Sequence, residues 1–149
     1  DSDIDIFIAC GNNNLRESIF RDFKNSKVGF PNIIHPTALI DKSSSFGFGN
    51  YIGQYSNLGA EVKIGNFNII NSYANLEHQV HIGDFNQLAP SSTVCGVSTL
   101  SDNIFLGANA CIIDHLSIAK NTVIGAGATV IRSINQSNNS FVGVPAKKI

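Results

Sequence analysis

Methionine is absent from the 149 residues, and the chain opens on Asp1, so a segment carrying the translation start is expected upstream. Cysteine is scarce: Cys10, Cys95 and Cys111 form no close-spaced pair. An odd count fits a reducing compartment better than a disulfide framework, though one bridge stays open, and the three read as buried thiols. Charge is sparse too, at 14% of residues with a net of −1. Apart from Lys147 and Lys148 the ten basic residues are scattered, which leaves no stripe to track a phosphate backbone and argues against nucleic acid as partner. No apolar run approaches the length of a membrane span, and no basic-then-apolar leader opens the chain, so a cytoplasmic protein without membrane contact is expected. With 43% hydrophobic residues the composition is that of one globular domain plus an appendage rather than a disordered chain.

What is present is a strict period. From Ile40 to Val130 an apolar residue returns at every sixth position, sixteen times in sixteen places, through Ile52, Leu58, Ile64, Ile70, Leu76, Ile82, Leu88, Val94 and Leu100 to Ile124. The residue two before each is usually small or β-branched, as at Ser56, Val62, Ala74, Val80 and Ala110, and the residue just after is often Gly, as at Gly53, Gly59, Gly83 and Gly107. One rung therefore reads small, any residue, apolar, then turn. A period of six fits neither the 3.6 of a helix nor a lone alternating strand; it predicts a parallel β-helix of hexapeptide repeats, mainly β, with about three hexads per coil and about five coils. Such a repeat buries its apolar face only by stacking, each coil about 4.8 Å from the last. Spacing does not set the hand of the coil.

The ends break the pattern. Ile4 to Cys10 reads as a short buried strand, Gly11-Asn12-Asn13-Asn14 as a turn, and Leu15, Ile19, Phe20 and Phe23 fall at helical spacing, with Asn14 as N-cap and Glu17 completing a capping box. Residues 27–34 return extended. A partial Rossmann-like βαβ element over residues 1–33 thus precedes the β-helix of residues 34–134, and residues 135–149 form a terminal loop and tail.

Chemistry on a solenoid must sit on an outer face, a loop or a cleft between subunits. The densest cluster is Glu77-His78-Gln79 with His81 and Asp84. Imidazole titrates near neutrality, so His78 on a rigid scaffold suits a general base, against the alternative of a plain surface or interface histidine. His81, His115 and His35 are weaker candidates. A zinc ion held by three histidines competes, but His78 and His115 lie two coils apart, about 9.6 Å of ladder, so one chain does not bring them to one ion; no metal is expected. Gly11, Asn12 and Asn13, between strand and helix, put N–H groups where an anion or a sugar-nucleotide edge could be met, although the full G-x-G-x-x-G pattern is missing and a plain turn explains them as well.

Three stretches together, Phe7-Ile8-Ala9-Cys10-Gly11-Asn12-Asn13, Leu76-Glu77-His78-Gln79-Val80-His81-Ile82-Gly83 and Phe141-Val142-Gly143-Val144-Pro145-Ala146-Lys147, resemble the hexapeptide-repeat acyltransferases. The resemblance is to the branch of sugar-nucleotide 4-amino N-acetyltransferases and sialic-acid O-acetyltransferases. It implies a left-handed β-helix, a homotrimer with a closed cyclic interface, and acetyl-CoA in the cleft between neighbours. It implies His78 as the base that takes a proton from the acceptor, and the N–H of Gly96 as oxyanion donor. Positions matching CoA contacts are Gln87, Ala108 and Ala126, with Gly107 and Gly125 allowing close approach of the pantetheine, and Lys147 beside Lys148 for a CoA phosphate. Gly11, Asn12 and Asn13 would touch the nucleotide sugar.

The sequence departs from that family in three places. Where an acid commonly follows the catalytic histidine, Gln79 stands here; an amide can orient the ring but cannot stabilise an imidazolium by charge, which leaves Glu77 as the substitute. Gln87 stands where some relatives have a second histidine. The additional strand, Gly-rich turn and helix with which relatives begin does not precede Asp1, so part of the acceptor pocket is expected to be missing. The expected function is transfer of acetyl from acetyl-CoA to the amino group of a nucleotide-linked amino sugar in surface glycan synthesis. Sialic-acid O-acetylation is the nearest alternative, and a non-catalytic trimeric scaffold the alternative of another class.

Overall fold

The computed structural model describes residues 4–149. The hexads each give a strand of two residues whose second member is the periodic apolar residue, buried in one continuous core that runs from Ile52 to Ile134. Each fully buried Leu or Ile contributes about 1.5–3 kcal/mol relative to exposure, so the core is the main source of stability. Each strand inside a face pairs in parallel with those one coil before and after it, as Asn75 does with Asn57 and with Thr93, eighteen residues away on either side. Three sheets result. The first face carries Tyr51–Ile52, Ile69–Ile70, Gln87–Leu88 and Phe105–Leu106; the second Asn57–Leu58, Asn75–Leu76, Thr93–Val94 and Cys111–Ile112; the third Lys63–Ile64, His81–Ile82 and Thr99–Leu100. The chain visits the faces in that order, making a triangular prism of roughly six coils, one more than expected because Ile33–Ile34 already starts the first face.

The turns follow one rule. The left-handed conformation falls on the third residue after each apolar one, not on the glycine just after it: Tyr55, Glu61, Phe67, Tyr73, Gln79, Phe85 and so on to Asn121 all have φ between 54° and 62°. The glycines serve stacking instead. A Cβ on Gly107 would stand 2.5 Å from the Ala126 nitrogen and one on Gly53 2.9 Å from that of Ser72, both backbone atoms of the next coil.

At the front, β1 (Ile4–Asp5) and β2 (Val28–Gly29) pair in parallel around α1 (Asn13–Phe23), so the βαβ path is present. Its sheet has only these two short strands among the described residues, which show the βαβ path and no wider Rossmann-like sheet. The cap is Asn12, whose side chain accepts from the Leu15 N–H at 3.0 Å; Asn14 is already helical. Leu15 is 52% exposed and Phe23 is exposed as well, while Arg16 is 1% exposed and faces the prism. The reason is a polar dock: the Arg16 guanidinium donates to the carbonyls of Phe67 (2.7 Å), Cys10 (2.7 Å), Phe85 and Asn86 (both 3.1 Å) and to Asn13 Oδ1 (2.7 Å). Burial lowers its pKa to about 10, so it stays charged at neutral pH. Phe20 completes the dock against Phe67 and Phe85, which project from successive left-handed corners.

At the far end residues 140–148 are more than a tail. Ser140–Val142 joins the first face in parallel and Lys147–Lys148 folds back antiparallel onto it. All three cysteines are free and half-buried rather than fully buried.

Candidate active site

His78 lies at the corner between the second and third faces, in the turn from Asn75–Leu76 to His81–Ile82, with its ring exposed. One coil on, the equivalent position is Gly96, and the ring lies over it: a Cβ built on Gly96 would be 2.6 Å from His78 Nε2 and 2.7 Å from Cε1. Only glycine leaves room for the imidazole there. The flanking amides are used, Cys95 N–H donating to the Ile112 carbonyl and Val97 N–H to that of His78, whereas among the described residues the Gly96 N–H makes no hydrogen bond. An imidazole ring and an unused backbone donor therefore share one corner.

Gln79 Oε1 sits 3.3 Å from His78 Nδ1, and Gln79 Nε2 donates to Glu61 Oε2 at 3.2 Å. Glu77, the acid expected to substitute, instead accepts from Asn75 Nδ2 at 2.7 Å, and Asn75 in turn accepts from Asn57. Glu61 is the carboxylate that hydrogen bonds join to His78 among the described residues. Sequence reasoning missed it because eighteen positions separate it from Gln79; reading at the coil period would have found it.

The other histidines are elsewhere. His81 is not at a corner but in the strand pairing with Lys63 and Thr99, above a shallow hollow of about 360 Å³ shared with Glu61, Gln79 and Val97. His115 is two coils on at the His78 corner, 3.7 Å from Asp114 Oδ2, and His35 faces Thr37 at 2.9 Å. No three His, Cys, Asp or Glu side chains among the described residues are grouped to hold a metal. Cys95, next to Gly96, has its thiol pushed up to about 11, first by burial and then by the Cys111 thiol beside it and the carboxylates of Glu77 and Asp114.

The remaining predicted residues lie at three other places on the prism. Gly107, Ala108, Gly125 and Ala126 form the corner between the first and second faces; Gly107 is buried beneath the next coil, while Ala126 is exposed. Gln87 projects from the first face toward Gly11, its amide 3.8 Å from where a Cβ of Gly11 would stand. Gly11, Asn12 and Asn13 line a cavity of about 450 Å³ with Asn103, Phe105 and Asn121. Asn13 is itself engaged, donating to the Ile104 carbonyl and accepting from Arg16, and Asn12 caps α1 through its side-chain oxygen; the cavity's other amides belong to an asparagine column the sequence reading overlooked. In that column Asn103 Nδ2 donates to Asn14 and Asn121, and Asn121 Nδ2 to Asn138. Lys147 borders a hollow of about 360 Å³ with Arg132 near the end of the prism. The corner with His78 is opposite the first face, so the prism itself separates His78 from Gln87 and Gly11 within one chain.

No protein-family model and no curated sequence matches the chain. Its likeness is to solved structures. PerB from Caulobacter crescentus, in complex with CoA and GDP-perosamine, is 31% identical, with 98% of this chain and 70% of that one covered and a TM-score of 0.95. The acetyltransferase domain of PglB from Neisseria gonorrhoeae is 25% identical over 97% of this chain and 70% of its own, TM-score 0.94. WeeI from Acinetobacter baumannii is 26% identical over 100% and 73%, TM-score 0.93. The match runs through α1, every coil and the closing hairpin, and with it the winding is that of the left-handed β-helix acetyltransferases. A corner that pairs an imidazole with a free amide on this scaffold, and an identity of 31% sustained over nearly the whole chain, lead to one statement: the protein belongs to the hexapeptide-repeat sugar N-acetyltransferases.

Proposed function

We propose that the protein transfers acetyl from acetyl-CoA to the amino group of a nucleotide-linked amino sugar used in surface glycan synthesis. The observation that carries this reading is the His78 ring lying over Gly96 with its neighbour's N–H unused. His78 Nε2 accepts a proton from the sugar amine as its nitrogen attacks the thioester carbonyl carbon. The Gly96 N–H donates to the oxygen that becomes negative, a type of contact worth about 10²–10³ in rate. Collapse of the tetrahedral intermediate expels the CoA thiolate, which takes the proton back from the imidazolium. The bound CoA and GDP-perosamine of PerB support both substrates.

Since His78 and the Gln87–Gly11 region are on opposite sides of one prism, a complete site calls for two copies, His78 of one facing the glycine corner or the first face of the next; a closed homotrimer provides three such clefts. Gln87, Ala108, Gly125 and Ala126 then border the pantetheine, Lys147 meets a CoA phosphate, and Gly11, Asn12 and Asn13 with the asparagine column meet the nucleotide sugar. Three free thiols and substrates made inside the cell favour the cytoplasm.

The test is thiol release from acetyl-CoA with UDP-, dTDP- and GDP-linked amino sugars and free sialic acid, for the chain as it is and for His78→Ala. Release with an amino sugar that falls by at least about 10²-fold in the variant is expected. Release unaffected by the substitution removes His78 from the mechanism, and release with sialic acid alone replaces N-acetylation by O-acetylation.

A further inference from the structure

We propose that Glu61 is a positioning residue for His78, acting through Gln79: its carboxylate orients the Gln79 amide, and the amide in turn sets the tautomer of the imidazole. The inference rests on His78 being the base proposed above. Its logic is one of donors and acceptors. A carboxylate only accepts, so the end of Gln79 that faces Glu61 Oε2 at 3.2 Å must be the NH₂ group. The carbonyl oxygen of the same amide is then the end left at His78 Nδ1, 3.3 Å away, and an amide oxygen also only accepts. Nδ1 must therefore carry the proton, and Nε2, over Gly96, is left with its lone pair. A histidine side chain alone in water prefers the opposite tautomer, with the proton on Nε2, which could not take a proton from an amine.

The backbone makes this arrangement a property of the fold. Glu61 and Gln79 occupy the same left-handed corner one coil apart, both with φ 59°. The Gln79 N–H donates to the Ala60 carbonyl at 2.8 Å, and the Glu61 N–H to Ser43 Oγ at 2.8 Å. The two side chains thus leave the corner in parallel, about one coil spacing apart. Val97, next in the column, is apolar and offers the amide no competing partner. The other charged groups around the corner are Asp41 and Lys42 one coil before Glu61, Glu77, to which Asn75 donates, Asp114 and His115 farther along, and Lys63 with His81 on the third face. Both relay distances are at the long end of the hydrogen-bonding range, as is usual for catalytic contacts before substrate is bound. With a neutral amide between them, Glu61 stabilises an imidazolium weakly; its effect is on which nitrogen holds the proton.

The tautomer is read directly from long-range ¹H–¹⁵N spectra of the full chain labelled with ¹⁵N-histidine, His78 being assigned by its loss in His78→Ala. The neutral ring is expected to carry its proton on Nδ1, and in Glu61→Ala to shift toward Nε2–H. In turnover, Glu61→Ala should lower kcat about tenfold with KM for acetyl-CoA within about twofold. Adding Gln79→Glu to Glu61→Ala should restore kcat, since a carboxylate beside Nδ1 needs no support. An unchanged tautomer in Glu61→Ala, or a kcat loss that Gln79→Glu does not repair, overturns the proposal. Because the spectra need no turnover, absence of acetyl transfer would refute the proposed function and leave the relay to be judged on the tautomer.

Discussion

Replacing Gly96 by alanine separates catalysis from folding more sharply than any other single change. The added Cβ would stand 2.6 Å from His78 Nε2, 2.7 Å from Cε1 and 3.2 Å from Cδ2. An ordinary contact begins near 3.4 Å, so Nε2 must retreat by at least about 0.8 Å (3.4 minus 2.6). Nothing prevents the retreat: the ring is exposed, it ends a side chain with two rotatable bonds, and Gly96 does not have the positive φ that alanine would resist. The cost in stability is therefore below about 1 kcal/mol. The catalytic cost is different in kind, because a base displaced by about an ångström loses on the order of 10²-fold, or about 2.7 kcal/mol of transition-state stabilisation. The methyl group also crowds the approach to the Gly96 N–H. Thiol release from acetyl-CoA and thermal unfolding, measured on the same preparation, check both halves. Activity retained within about threefold would refute the placement of His78 over Gly96, and a large fall in unfolding temperature would show that backbone, not the ring, resists the methyl.

Arg16→Met removes a buried cation from five acceptors and should cost about 3–5 kcal/mol in denaturant unfolding, with amide exchange in α1 rising first. Gly107→Ala sets a Cβ 2.5 Å from a backbone nitrogen and should lower thermal stability severely, whereas Gly127→Asn, at φ 65° with nothing within 4 Å, should change it little, as asparagine already holds that conformation at 103, 109 and 121. With its thiol raised to about 11, Cys95 has a thiolate fraction on the order of 10⁻³ at pH 8 and should be alkylated by iodoacetamide far more slowly than a free cysteine, as read by mass spectrometry. Lys147→Ala should raise KM for acetyl-CoA severalfold and leave kcat nearly unchanged.

The β-helix was legible because every inward position obeys one rule: Ile52, Leu58, Ile64 and their successors are six apart and buried. The corner that holds His78 was legible too, since Leu76 fixed its register. The helix was harder. Its apolar stripe pointed to Leu15 and Phe23, but the partner surface offers carbonyls from Phe67, Phe85 and Asn86, and against such a surface a guanidinium docks better than a leucine. The buried ladder of Asn50, Asn68 and Asn86 broke the rule of small residues and went unread for a related reason: each side chain oxygen accepts from a main-chain N–H one coil on, which polarity alone does not reveal.

In a prism of this kind the inward residue is set by the core and the residue after it by coil stacking, which leaves the second and third residues of each turn as the positions free to carry chemistry. Their neighbours are not the residues beside them in sequence but those eighteen away. At one corner the third positions run Glu61, Gln79, Val97, His115, and at another Gly49, Phe67, Phe85, Asn103, Asn121. The first column supplies the relay to His78; the second docks α1 through its two phenylalanines and then lines the cavity at Asn12 through its asparagines. A substitution in either column therefore acts along the prism axis, through the residue one coil away, before it acts on its sequence neighbours. Gln79 illustrates the consequence: it sets a neutral amide beside the His78 ring, and the carboxylate that this amide meets, Glu61, lies one coil away rather than next in sequence.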